Sequence, residues 1–210
     1  MNLLRTYSAA AALALATAFA GISTVYAQEE KVPRRDAARL MSELMSGRGP
    51  IGGVFELSDA DGRRVGTEDW RGKLVLLYFG YTFCPDACPT ELSSIAEAIE
   101  LLGPAGAKIQ PVFITIDPER DRPKMIERYA QSFNPRFVAL HGSESETRRI
   151  ANAYKVFYEK VRRPGSDVYL IDHSSFIYML DAGGQFVGYF PTGTSGKRIA
   201  EQVAPLLRSR

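Results

Sequence analysis

At 210 residues, with 45% hydrophobic and 24% charged residues, the chain has ordinary globular composition and enough length to bury one core. Its 26 Lys and Arg against 24 Asp and Glu leave a formal charge of only +2, which excludes the basic footprint of a nucleic-acid binder. With 2 cysteines and 2 histidines, thiol or soft-metal chemistry is confined to very few side chains.

Residues 1–27 read as an export signal: Arg5 near the start, an alanine-rich apolar core over 9–20, and Val25-Tyr26-Ala27 as a small-residue cleavage site, so that Gln28 begins the mature chain. The uncharged run 6–27 also approaches the ~20 residues that a membrane helix needs, so a retained anchor is the alternative. A lone Arg5 argues against a mitochondrial transit peptide, and no cysteine follows the apolar core to take a lipid. Either reading puts the domain outside the cytoplasm, in a bacterial periplasm. Residues 28–50 read as a linker with one short helix over 36–45; Met41 and Met45 there either pack an apolar side or offer thioethers to a soft metal.

The domain itself spans 51–210. Val54-Phe55-Glu56-Leu57, Asp61-Gly62 and Arg64-Val65-Gly66 predict an N-terminal hairpin. The unbroken apolar run Leu74-Val75-Leu76-Leu77-Tyr78-Phe79 predicts a central strand buried on both faces. A loop with both cysteines follows at once. Pro89 fits a first helical position, which makes Cys88 the N-cap, and Leu92, Ile95, Ile99 and Leu102 mark one helix face up to Gly103-Pro104. A second buried strand is expected over 111–116, then a polar loop over 117–123 and a helix carrying Met125, Ile126, Tyr129, Ala130 and Phe133.

A third strand is expected over 137–140, and Ser143 with Glu146 forms a capping box for a helix carrying Ile150, Ala151, Tyr154 and Phe157. Residues 161–167 are basic and loop-like. Strand-like segments at 168–171, 175–180 and 186–190 follow, the last two joined by a turn at 181–184, and a final helix over 195–207 has Pro205 kinking or fraying its end. Alternating strands and helices closed by a hairpin and a helix give an α/β, thioredoxin-like fold: a mixed central sheet with helices on both faces. On that topology the end of strand 74–79 and the strand after His173 begin at the same sheet edge. His173 can therefore meet both cysteines.

Cys84 and Cys88 sit where a strand turns into a helix, so backbone N–H groups and the positive end of the helix dipole favour thiolate over thiol. Outside the cytoplasm a structural disulfide is one role for such a pair, although closing so short a loop constrains little of the unfolded chain. Thiol-disulfide exchange and soft-metal binding are the others.

The stretch Gly80-Tyr81-Thr82-Phe83-Cys84-Pro85-Asp86-Ala87-Cys88-Pro89-Thr90-Glu91-Leu92, with Asp117-Pro118-Glu119-Arg120-Asp121 and Asp172-His173, closely resembles the Sco (SenC) family of copper chaperones. The resemblance runs from about Pro50 to the last helix. It implies a thioredoxin-like domain in which Cys84, Cys88 and His173 bind one copper ion, Cu(I) in the favoured reading and Cu(II) in the alternative. It also implies delivery to the copper A site of cytochrome c oxidase subunit II, or upkeep of that site's cysteines in the reduced state, with another periplasmic copper chaperone or a thiol reductase as a further partner. Where thioredoxin-type oxidoreductases carry a cis-proline, this chain has Asp172-His173-Ser174. Two thiolates and one imidazole suit soft Cu(I), whereas Zn²⁺ would want a fourth ligand. His141 lies after a different strand and reads as a surface or turn residue. Asp86 and Asp117 read either as solvated loop carboxylates or as groups tuning the site's charge, and Asp117, Arg120 and Asp121 as an ion-pair or capping lattice that fixes the loop.

Overall fold

The computed structural model describes residues 34–46, 50–162, 165 and 168–208. The expected signal or anchor at 1–27 lies outside them, as do 28–33 and 47–49 of the expected linker. The helix expected over 36–45 is α1 (Arg34–Ser46), whose Leu44 joins the hydrophobic core and whose Glu43 meets Lys155 Nζ at 2.8 Å.

The hairpin is β1 (Glu56–Ser58) against β2 (Arg64–Gly66), with Leu57 opposite Val65. A short 3-10 turn, Thr67–Trp70, then leads into β3 (Leu74–Gly80). After it come α2 (Ala87–Leu101), β4 (Ile109–Thr115), α3 (Pro123–Gln131), β5 (Val138–Leu140) and α4 (Glu144–Ala153). The chain closes with β6 (Tyr158–Arg162), β7 (Tyr169–His173), β8 (Ile177–Leu180), β9 (Phe186–Phe190) and α5 (Gly196–Arg208).

The central sheet has the order β5-β4-β3-β8-β9, parallel from β3 to β5 and antiparallel from β3 to β9. Every residue of β3 and β4 is buried, so both faces of the sheet are covered, as the two aliphatic runs require. Antiparallel pairing sets Ile177 opposite Tyr78, and parallel pairing sets Gly80 opposite Thr115. The segment after His173 thus starts beside the point where β3 opens into the cysteine loop.

Three local expectations are corrected. Cys88 is not the N-cap of α2: the helix starts at Ala87 after Asp86, and Pro89 is its third residue, where a missing N–H is still harmless. Phe157 is not on α4, whose capping box at Ser143 and Glu146 forms as expected; the chain leaves the helix at Lys155, in the left-handed region at φ 59°. Residues 161 and 162, expected in a loop, instead end a strand, β6, paired with β7 from Tyr158 opposite His173 to Arg162 opposite Tyr169. Pro205 lies inside α5, which runs on to Arg208. Among the described residues no helix is long and apolar enough to cross a membrane.

Candidate metal centre

The cysteine loop is short because β3 runs directly into it and α2 starts two residues after Pro85. Asp86 offers no side-chain cap to α2; instead the Cys84 Sγ accepts the Cys88 N–H at 3.4 Å, so a sulfur serves one of the donors that a helix start leaves unpaired. Cys88 is fully buried while Cys84 is half-buried, and both are free thiols. Gly80 lets them fit: a Cβ there would stand 2.8 Å from the Cys88 Sγ and 3.1 Å from the Phe113 ring.

His173 arrives from the end of β7. Its Nε2 is 3.6 Å from the Cys88 Sγ, and one ligand atom from each of Cys84, Cys88 and His173 lies within 4.8 Å of the others. The His173 Nδ1 is 3.0 Å from the Ser174 carbonyl, to which it donates as Nδ1–H, and this bond orients the ring with Nε2 toward the sulfurs. The rings of Tyr81 and Tyr78 stand edge-on to the imidazole at 5.8 and 6.2 Å. His141 is elsewhere, its backbone bridging Ser58, and Asp86 and Asp172 are exposed. The three residues expected to converge do so, and no other described His, Cys, Asp or Glu joins them.

The two thiols are unequal. A hydrogen bond from Cys88, then one from His173 and backbone N–H groups of Asp86 and Cys88, hold Cys84 down at about 3 against the opposing effect of burial. The same bond to Cys84, together with burial, pushes Cys88 up. In the reduced protein iodoacetamide should therefore label Cys84 alone. Its rate should persist far below the ordinary thiol value of 9.0 and fall only as pH approaches 3, as followed by peptide mass mapping across a pH series. Labelling of Cys88, or a rate that follows an ordinary thiol, would contradict this asymmetry.

The SCO1/SenC family profile matches residues 44–208. The chain belongs to the SCO1/SenC family. It is 43% identical over 152 residues to the SCO2-like protein of Rickettsia felis, covering 72% of this chain and 74% of that one. Protein sco1 of Schizosaccharomyces pombe is 35% identical over 201 residues, 94% of this chain and 76% of that one. The copper-bound ScoI structure from Arabidopsis thaliana matches with TM-score 0.70 and 37% identity, over 76% of this chain and 99% of its own. Copper-bound yeast Sco1 matches with TM-score 0.68 and 33% identity, over 77% and 91%. The family and the thioredoxin-like fold expected from the cysteine motif are thus both found.

In this SCO1/SenC domain the loop 117–121 is a clamp, as its acid-base spacing predicts. Asp121 is buried and accepts from Thr82 N at 3.1 Å and from the hydroxyls of Thr82 and Thr115 at 2.5 and 2.6 Å. Burial raises its carboxyl above the usual range, while the Thr115 and Thr82 hydrogen bonds pull the other way. Asp117, fully buried, takes the Tyr169 hydroxyl at 2.8 Å and the Arg120 Nε at 2.5 Å. Arg120 also donates to the Tyr169 carbonyl and lies 3.6 Å over the Tyr169 ring and 4.9 Å over that of Phe83. The Tyr81 hydroxyl accepts the Ile171 N–H at 3.1 Å. The clamp joins Tyr81, Thr82 and Phe83 on the cysteine side to Tyr169 and Ile171 on the strand that carries His173. Tyr81, Thr82, Thr115 and Tyr169 were not legible as site residues. The signal for Thr115 and Tyr169 was a hydroxyl among aliphatic strand residues, and Tyr81 and Thr82 stood out only as part of the cysteine motif.

Proposed function

We propose that this chain is a copper metallochaperone for cytochrome c oxidase assembly, holding one copper ion between Cys84, Cys88 and His173. The observation that carries the reading is the convergence of two sulfurs and one imidazole nitrogen within 4.8 Å in a SCO1/SenC chain. The relatives support it: copper-bound structures are known for the ScoI of Arabidopsis thaliana and for yeast Sco1. The donor set fits Cu(I), which is soft and accepts few ligands. Cys88 must give up its proton to bind, so loading releases protons and weakens in acid. Oxidation of the pair to a disulfide removes both thiolates, which makes redox state the gate on loading. The recipient in this reading is the copper A site of cytochrome c oxidase subunit II, reached in the periplasm after cleavage behind Ala27.

One purification tests these claims. Protein exported with its N-terminal segment is expected to begin at Gln28 by mass spectrometry, to take up one equivalent of Cu(I) anaerobically when reduced, and to take up none once oxidised. Equal uptake by both forms would remove the gate.

A second reading, thiol-disulfide exchange, is favoured by the unequal thiols. The Cys84 thiolate would attack a partner disulfide, forming a mixed disulfide and expelling one partner thiolate. Cys88, giving up its proton, would then attack the Cys84 sulfur and expel the second, leaving Cys84–Cys88 oxidised and the partner reduced. Turnover of this kind needs both cysteines and is indifferent to His173→Ala, whereas copper binding is not.

A further inference from the structure

Tyr78 is fully buried in the last turn of the central strand before Gly80, yet its hydroxyl has no hydrogen-bond partner. Leaving such a group unpaired is destabilising, and phenylalanine would fill the same space without that cost. The polar groups that act on the hydroxyl are Cys88, Ser175 and Cys84. A Cβ on Gly80 would stand 2.8 Å from the Tyr78 ring and 2.8 Å from the Cys88 Sγ, so only the bare glycine separates the two. The same ring lies edge-on to His173 at 6.2 Å. Tyr78 therefore faces two of the three converging residues, and its donor lies within electrostatic reach of Cys88 without closing a hydrogen bond of ordinary geometry.

We propose that the Tyr78 hydroxyl is a hydrogen-bond donor to the Cys88 sulfur when that sulfur carries the metal, which makes Tyr78 a positioning residue for the copper site. The inference rests on the copper reading above. A thiol sulfur is a weak acceptor, so in the metal-free protein the hydroxyl has little to bond. A metal-bound sulfur is a thiolate, and a thiolate in a buried site needs donors. The donor is built into the strand ahead of the ligand that will use it, and its unpaired state in the free protein is the cost of that arrangement. Hydrogen bonds to a ligating sulfur tune its donor strength and with it the energy of sulfur-to-metal charge transfer.

The test compares Tyr78→Phe with Tyr178→Phe. Tyr178 is also fully buried with an unpaired hydroxyl, but the polar side chain acting on it is Tyr189, not a cysteine. Cu(I) affinity by chelator competition, the charge-transfer band of the Cu(II)-loaded protein and the Tm of the metal-free protein are measured on each. Tyr78→Phe is expected to lose about 10-fold or more in affinity and to shift the band to longer wavelength, with the metal-free Tm unchanged or raised. Tyr178→Phe is expected to alter neither copper readout. An unshifted band overturns the assignment, whether affinity is kept or is lost together with a lowered metal-free Tm, since the latter is a packing effect. A wild-type protein that binds no copper overturns the copper reading itself, and this inference with it.

Discussion

Replacing Cys88 by serine is expected to weaken Cu(I) binding by about 10³-fold or more, the equivalent of roughly 4 kcal/mol. Serine keeps the shape of the side chain but exchanges a soft thiolate for a neutral hydroxyl, and Cu(I) has little affinity for hard oxygen. Cys88 is fully buried and its Sγ is the one beside the His173 Nε2, so no solvent ligand can take its place. Cys84 is half-exposed, and Cys84→Ser should follow close behind with a somewhat smaller loss. His173→Ala removes a neutral ligand and leaves both thiolates, and its loss should be about 10- to 100-fold. Anaerobic competition against a chromophoric Cu(I) chelator, with circular dichroism confirming a folded protein, gives the ranking. Full affinity in His173→Ala would remove the histidine from the site, and full affinity in Cys88→Ser would remove the copper reading altogether.

The central architecture was legible because burial on two faces leaves a plain mark. Leu74–Gly80 and Ile109–Thr115 are almost wholly apolar, and a cysteine pair between such a run and a helix pattern has few other placements. His173 was reachable from topology alone, since pairing Ile177 opposite Tyr78 fixes the preceding residues at the cysteine edge. The start of α2 was misjudged because its first unpaired donor is met by a cysteine sulfur, for which no capping signal exists in sequence. The end of α4 was missed because Lys155 takes the left-handed conformation usually flagged by glycine. Strand β6 is rich in charge, with Glu159, Lys160 and Arg162, so no strand is legible there and its last two residues read as loop. It is a strand by virtue of pairing with β7, and Lys160 and Arg162 lie over the Tyr169 ring at 4.9 and 5.9 Å.

Asp121→Ala is expected to destabilise the domain by about 3 kcal/mol or more, because it leaves buried donors without an acceptor. The carboxylate, 3% exposed, is the shared acceptor for the Thr82 N–H, the Thr82 hydroxyl and the Thr115 hydroxyl. For a chain of this length the loss corresponds to a Tm lower by roughly 10 °C. Asp121→Asn keeps one acceptor oxygen but turns an N–H₂ toward hydroxyl donors, and should fall between wild type and alanine. The effect should also reach the metal. Thr82 lies two residues before Cys84, and the hydrogen bonds to Asp121 hold it against the end of β4, so cutting them frees the cysteine loop while leaving all three ligands in place. The expected signature is a Cu(I) affinity reduced less than in Cys88→Ser, with one equivalent still bound, alongside the large loss in Tm. A normal Tm in Asp121→Ala would show that the threonine donors find other partners. A low Tm with unchanged affinity would show that the clamp secures the fold without setting the geometry of the cysteines.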